Sequence, residues 1–216
     1  MSNIVNDVVE DYIRKTLKDN TGLIKELEEY AAIHEVPIIH KEVAELMKVL
    51  LNMSKPKKIL ELGCAIGYSS ILFTETLKGD VEIITTERNP RMIEKAKKNI
   101  KEAGFEKNIK ILEGDACETL KNIEGNFDLI FIDAAKGHYK LFFDMLIDKL
   151  NPGGLVVSDN ILYKGMIASD EYVIRRKKTI VKRMRDYLDY ICSLDYLDTS
   201  ILPMGDGVAL SYKKEK

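Results

Sequence analysis

From Lys57 onward, short apolar runs alternate with stretches of helical period, and this alternation decides the fold class. Apolar runs at 57–62, 81–86, 109–112, 127–132 and 155–157 read as buried strands. Helical stretches at 68–77, 90–103, 116–122 and 139–150 lie between or after them. Pro90 suits a first helical turn and Gly104 a helix end. Strand and helix in alternation predict an α/β chain with a parallel sheet covered on both faces. The pattern then changes. A long helix is expected over 173–188, followed by strands at 199–202 and 208–212. The short Pro203-Met204-Gly205-Asp206-Gly207 link predicts that these two strands pair antiparallel. Before the sheet, residues 5–51 are helical, with Ile24, Leu27, Tyr30 and Ala31 at helical spacing and Val43, Leu46, Met47 and Leu50 likewise.

At 216 residues and 45% hydrophobic, the chain suits one domain with a sizeable core. N-terminal helices would occupy 1–52 and the α/β core 57–216 of that single domain, 1–216. The net charge of -2 excludes a general polyanion binder, so nucleic-acid affinity requires a local patch. Cys64, Cys117 and Cys192 form no C-x-x-C pair, which argues against a zinc knuckle or a redox dithiol. The N-terminus carries acids where a secretion signal is apolar, and no apolar run approaches membrane length. A soluble cytoplasmic protein is expected.

An open parallel sheet binds its ligand beyond the carboxyl ends of its strands. The first strand ends Glu61-Leu62-Gly63-Cys64-Ala65-Ile66-Gly67-Tyr68-Ser69. This is a tight turn that lets a ligand approach the backbone and a helix N-terminus. It is not a phosphate-cradling P-loop, and the missing G-x-G-x-x-G argues against a dehydrogenase. Glu87 ends the second strand, where an acid accepts ribose hydroxyls; the alternative is an acid ahead of the helix begun by Pro90. Asp115, before Ala116, is placed to accept an adenine amino group or to cap a helix. In order on successive strands, the three describe a pocket for an adenosine ligand with an anionic end.

The fourth strand leads into Asp133-Ala134-Ala135-Lys136 and the fifth into Asp159-Asn160. Two carboxylates and an amide oxygen make a hard-oxygen site suited to Mg²⁺ or a similar cation. His34, His40 and His138 stand outside this pattern. Lys136, three residues past Asp133, is a candidate general base, or else an ordinary exposed lysine.

The segments ILELGCAIGYSS, TTERN, EGDA, FIDAAKGHY and GGLVVSDNILYKG resemble the cation-dependent O-methyltransferases, the group of catechol and caffeoyl-CoA methyltransferases. The likeness runs over roughly 35–216. It implies a class I methyltransferase fold, Rossmann-like, with a seven-stranded mostly parallel sheet and an antiparallel last strand. It implies S-adenosylmethionine as methyl donor and Mg²⁺, or another divalent cation, held by Asp133, Asp159 and Asn160. Glu61, Gly63 and Ser69 would lie along the donor's methionine part, Glu87 on its ribose, and Asp115 with Ala116 on its adenine. Ile39 would contribute backbone to that pocket, Asp133 would border the donor, and Lys136 would be the base.

HEVPII, DNILYKG, the basic run after it and ILPMGDGVALSYKK also resemble the bacterial tRNA 5-hydroxyuridine methyltransferases, which make wobble 5-methoxyuridine. A catechol and 5-hydroxyuridine each offer two neighbouring oxygens, so the core chemistry permits either acceptor. The run from Arg175 to Arg185 separates them, with seven basic residues of eleven and no acid. Arg175, Arg176, Lys177 and Lys178 are the first candidates for an RNA backbone. The alternative is a solvated helix face whose charges pair with nearby acids. Tyr68, Tyr139 and Tyr163 are candidates to stack on a base. Asp206 either orients the acceptor or merely serves the turn between Gly205 and Gly207. The N-terminal helices would pack on the domain or on a second subunit, and the resemblance implies a homodimer.

Overall fold

The computed structural model describes residues 4–215. Met1–Asn3 of the N-terminal reading, and Lys216, lie outside them. The described residues form two compact units, one of 14–124 and one of 125–215 with 4–13.

The Arg14–Glu124 unit carries helices α2 (Gly22–Ile33) and α3 (Lys41–Ser54), then β1 (Lys58–Leu62), α4 (Tyr68–Thr76), β2 (Glu82–Glu87), α5 (Pro90–Glu102), β3 (Ile109–Glu113) and the single turn α6 (Ala116–Thr119). Helix α1 (Asp7–Thr16) precedes them. Strands β1, β2 and β3 run parallel, with Leu60 beside Ile84 and Ile84 beside Lys110. Helix α5 shows why the boundaries fall where they do. The Asn89 side chain accepts the Arg91 amide at 3.0 Å, Pro90 fills the first turn, and Gly104 follows at φ +75°. Ile93, Ala96 and Ile100, three and four apart, turn its apolar face inward.

The other unit carries β4 (Phe127–Ile132), α7 (Tyr139–Leu146), β5 (Leu150–Asp159), α8 (Lys178–Cys192), β6 (Leu197–Leu202) and β7 (Val208–Lys213). Strands β4 and β5 are parallel, while β7 runs antiparallel to both β5 and β6. The seven strands follow the order β3-β2-β1-β4-β5-β7-β6, the mostly parallel sheet expected from the sequence.

One element is displaced along the chain, starting later than its pattern and running on to Cys192. The helix expected over 173–188 begins only at Lys178, after a 3-10 turn at Arg175–Lys177. Val173 and Ile174 adopt extended angles, at ψ 112° and 129°. Val173 instead packs with Ile167 and Ile180 around Tyr163, Met166 and Val181. No helix among the described residues is long and apolar enough to cross a membrane.

Candidate active site

The turn after β1 is built on left-handed backbone. Gly63 and Gly67 have φ of 94° and 84°, and even Ala65 sits at 45°. A side chain at Gly67 would add left-handed strain and would lie 3.5 Å from Ala96 Cβ. The Asn99 side chain donates to the Ile66 carbonyl at 2.8 Å and so ties α5 to this turn.

Beneath it lies Glu61, which is 0% exposed. Its carboxylate accepts the hydroxyls of Ser69, Ser70 and Thr85, the last at 2.6 Å. Burial pushes the Glu61 carboxyl above its ordinary value, against the downward pull of those hydroxyls. Glu61 and Ser69 therefore face each other and brace the turn from inside, and Gly63 is left as the more open of the three expected methionine contacts.

Glu87 sits at the tip of β2. Its Oε2 accepts the Ala65 amide at 3.0 Å, and Oε1 accepts the amides of Arg88 and Asn89 at 2.9 and 2.8 Å. A carboxylate offers about four acceptor positions, so an additional hydroxyl would find room chiefly on Oε2. The same hydrogen bond couples β2 to the turn after β1. Asp115 caps α6, accepting the Cys117 amide at 2.9 Å through Oδ1, and Arg88 lies 3.9 Å from Oδ2. The capping role is thus present, and the Asp115 side chain is about half exposed. Ile39 is buried ahead of α3.

In the other unit, Asp159, Asn160, Asp133, Lys136 and Asp206 form one connected group. Asp159 is 0% exposed, and its Oδ1 accepts the Asn160 amide at 2.7 Å. Asn160 Nδ2 donates to Asp133 Oδ1 at 3.1 Å, and Asn160 Oδ1 accepts from Lys136 Nζ at 2.7 Å. Lys136 Nζ also lies 3.5 Å from Asp206 Oδ2, while Asp206 Oδ1 accepts the Lys164 amide. The backbone here is unusual for side-chain-bearing residues. Ala135, Asn160, Tyr163 and Lys164 all have positive φ, between 46° and 61°. Each such residue other than Asn costs of order 1–3 kcal/mol, and such costs gather where a site must be shaped.

Among the described residues, no three His, Cys, Asp or Glu side chains gather as a metal centre. The expected trio is different in kind: two carboxylates and one amide. These are hard oxygen donors that meet through Asn160, whose amide oxygen accepts from Lys136 Nζ and whose amide nitrogen donates to Asp133. The residues therefore fit a divalent cation that prefers oxygen. His34 stacks on Tyr30 and His40 lies against Arg14, so neither serves this group.

The family model for O-methyltransferases matches residues 14–214 of this chain. A catechol O-methyltransferase of Niastella koreensis is 31% identical over 179 residues, covering 79% of each protein. A probable caffeoyl-CoA O-methyltransferase of Arabidopsis thaliana is also 31% identical, covering 78% of this chain and 76% of its own.

The chain belongs to this O-methyltransferase family.

Similar solved structures agree over almost the whole length. A Staphylococcus aureus protein described as a candidate caffeoyl-CoA O-methyltransferase has 37% identity and a TM-score of 0.89, covering 96% of this chain and all of its own. The Podospora anserina methyltransferase PaMTH1, solved with S-adenosylhomocysteine, has 27% identity and a TM-score of 0.87, covering 97% and 95%.

Several residues that shape this family member's site carry no motif signal. Ser70 and Thr85 look like ordinary buried polar residues in the sequence, yet both donate to Glu61. Tyr139 donates to the Asp159 carbonyl at 2.9 Å from a fully buried position. Burial, and then the charges of Asp133 and Asp159, push its phenol well above the ordinary value. Tyr139 and Tyr68 are 1% and 2% exposed, so neither stacks on a base as expected. Tyr163 is also buried, with the Lys136 and Lys177 ammonium groups 5.4 and 5.8 Å from its ring centre.

The basic run is less uniform than its sequence. Arg185 is tied down, donating to the carbonyls of Ile167 and Met166 and pairing with Asp170 at 2.7 Å. Arg183 donates to the Gly137 carbonyl at 3.3 Å. Arg175, Arg176, Lys178 and Lys182 are exposed and enter no ion pair among the described residues.

Proposed function

We propose that this O-methyltransferase uses S-adenosylmethionine to methylate the hydroxyl of 5-hydroxyuridine in tRNA, in the cytoplasm and as a homodimer. The observation that carries the RNA acceptor is the set of exposed cations at Arg175, Arg176, Lys178 and Lys182, without an ion pair among the described residues, on an otherwise slightly acidic protein. A phosphate backbone needs such a set, and a small phenol does not. The paired-charge alternative holds for Arg185 but does not extend to these four. The homodimer is supported by α1, whose Val8 and Tyr12 are 76% and 70% exposed.

In this reading Glu87 takes the donor's ribose, Asp115 and Ala116 its adenine, and the Gly63 turn its methionine end, with Ile39 supplying backbone and Asp133 bordering the donor. Glu61 and Ser69 hold the turn in shape. Asp133, Asp159 and Asn160 would hold Mg²⁺ or another divalent cation. When bound, such a cation lowers the proton affinity of a hydroxyl that it contacts. Lys136, as the neutral amine, accepts the hydroxyl proton as general base, and the oxygen takes the methyl group as the sulfonium C–S bond breaks and S-adenosylhomocysteine leaves. Tyr139 fixes the Asp159 backbone, and Asn160 keeps Asp133 and Lys136 in register.

A second reading, methylation of a small catechol, is favoured by the named relatives and uses the same oxygens. Nucleoside analysis of tRNA from cells lacking the gene separates the two. Loss of 5-methoxyuridine with accumulation of 5-hydroxyuridine supports the tRNA acceptor. An unchanged nucleoside profile favours the catechol.

A further inference from the structure

Asp206 lies in the link between β6 and β7, and a plain turn aspartate would be solvated. This one is 9% exposed. Its two oxygens point to different partners. Oδ1 accepts the Lys164 amide, and Oδ2 lies 3.5 Å from Lys136 Nζ. Its own carbonyl accepts the Leu162 amide at 2.9 Å, and the next carbonyl, of Gly207, accepts the Ile161 amide at 3.0 Å. The link is therefore zipped to the segment that follows Asn160, the segment in which Tyr163 and Lys164 hold positive φ.

Lys136 has two oxygens within reach, Asn160 Oδ1 at 2.7 Å and Asp206 Oδ2 at 3.5 Å. Its side chain is 31% exposed, so water alone would not fix the four-carbon chain in one place. Of these two partners, only Asp206 brings a full opposite charge. We propose that Asp206 is a positioning residue: it holds the Lys136 amine beside Asn160 and, through the Lys164 amide, sets the backbone that follows Asn160. Asp206 acts on the reaction through Lys136 and makes no required contact with the acceptor. This rests on the reading of Lys136 as the base in methyl transfer.

Asp206→Asn isolates the charge, because an amide oxygen still accepts the Lys164 amide. Turnover should fall by roughly tenfold, less than the 10²–10⁴ that a general base contributes, with donor affinity and acceptor KM unchanged. In a Lys136→Met background the same change should cost nothing more, since two residues that act as one unit are not additive. Equal losses in both backgrounds, or a loss confined to acceptor KM, overturn the proposal. Crystal structures of wild type and Asp206→Asn give a readout that needs no activity. The Lys136 amine should leave Asn160 Oδ1 or spread over several positions in the variant; an amine in its original place overturns the positioning role. If Lys136→Met alone turns over like wild type, the base assignment fails, and the crystal structures still decide whether Asp206 holds the lysine. Should Asp206→Asn not fold, Asp206→Glu decides by the same structures. A displaced lysine with reduced turnover supports the proposal, and a displaced lysine with full turnover overturns it.

Discussion

The Thr85 hydroxyl donates to Glu61 Oε2 at 2.6 Å, from one parallel strand to its neighbour. Together with Ser69 and Ser70 it closes a buried acid inside three hydroxyls, directly under the turn expected to meet the methyl donor. Glu61→Ala leaves those hydroxyls without their acceptor and opens a cavity, so it should cost about 3 kcal/mol or more and lower the yield of folded protein. Glu61→Gln keeps one oxygen and the volume and should cost less. Thermal unfolding of the two variants orders them; equal stability of Glu61→Ala and wild type contradicts the bracing role.

The same acid gives a pH dependence. Burial raises its carboxyl above the ordinary 4.5, so the folded state binds this proton more tightly than the unfolded state does. Its contribution to stability is complete below about 4.5 and is lost as pH rises through the raised value. Glu61→Gln does not titrate there. The melting temperature of wild type minus that of Glu61→Gln should therefore fall as pH rises above 4.5, whereas a flat or rising difference contradicts the direction of the shift.

Gly207 has no room for a side chain. A Cβ would stand 2.2 Å from Leu162 Cγ, at φ +88°. Gly207→Ala must push Leu162 aside and disturb the bonds from Ile161 and Leu162 to this link. It should destabilise by about 2 kcal/mol or more and reduce turnover further than it reduces donor affinity. Denaturant unfolding with donor calorimetry checks both; wild-type stability refutes the packing reading.

Arg175, Arg176 and Lys178 differ from Arg185 in what they touch. Changing the first three to Ala should leave stability within about 0.5 kcal/mol. It should also flatten the salt dependence of tRNA binding, by a log–log slope of about 0.7 for each single-strand phosphate that is no longer gripped. Arg185→Ala should instead lower the melting temperature, because it frees the Met166 and Ile167 carbonyls. An unchanged salt slope in the triple variant removes the RNA grip.

The order of elements and the strand-tip residues were legible because period and punctuation are local properties. Gly63, Glu87, Asp115, Asp133 and Asp159 all fall where a strand ends, as their spacing predicts. The roles were less legible. Glu61 is placed beside the expected donor by its spacing, but its bond from Thr85 is not legible there, because Thr85 stands 24 residues away. Tyr68 and Tyr139 read as stacking rings because burial is invisible in a helical pattern. The start of α8 was misplaced because Val173 and Ile180 fit a helical stripe, while Val173 actually reaches the Tyr163 cluster through an extended segment. Asp206 has turn glycines on both sides, and only the fold brings Lys136 to it, 70 residues away in the chain.

The most direct test gives purified enzyme both acceptors. Hypomodified tRNA carrying 5-hydroxyuridine, and separately a simple catechol, are incubated with methyl-labelled S-adenosylmethionine and Mg²⁺. The labelled tRNA is then digested to nucleosides. The expected result is label in 5-methoxyuridine, with kcat/KM for tRNA far above that for the catechol and for the free nucleoside. Efficient catechol methylation with no labelled 5-methoxyuridine would contradict it.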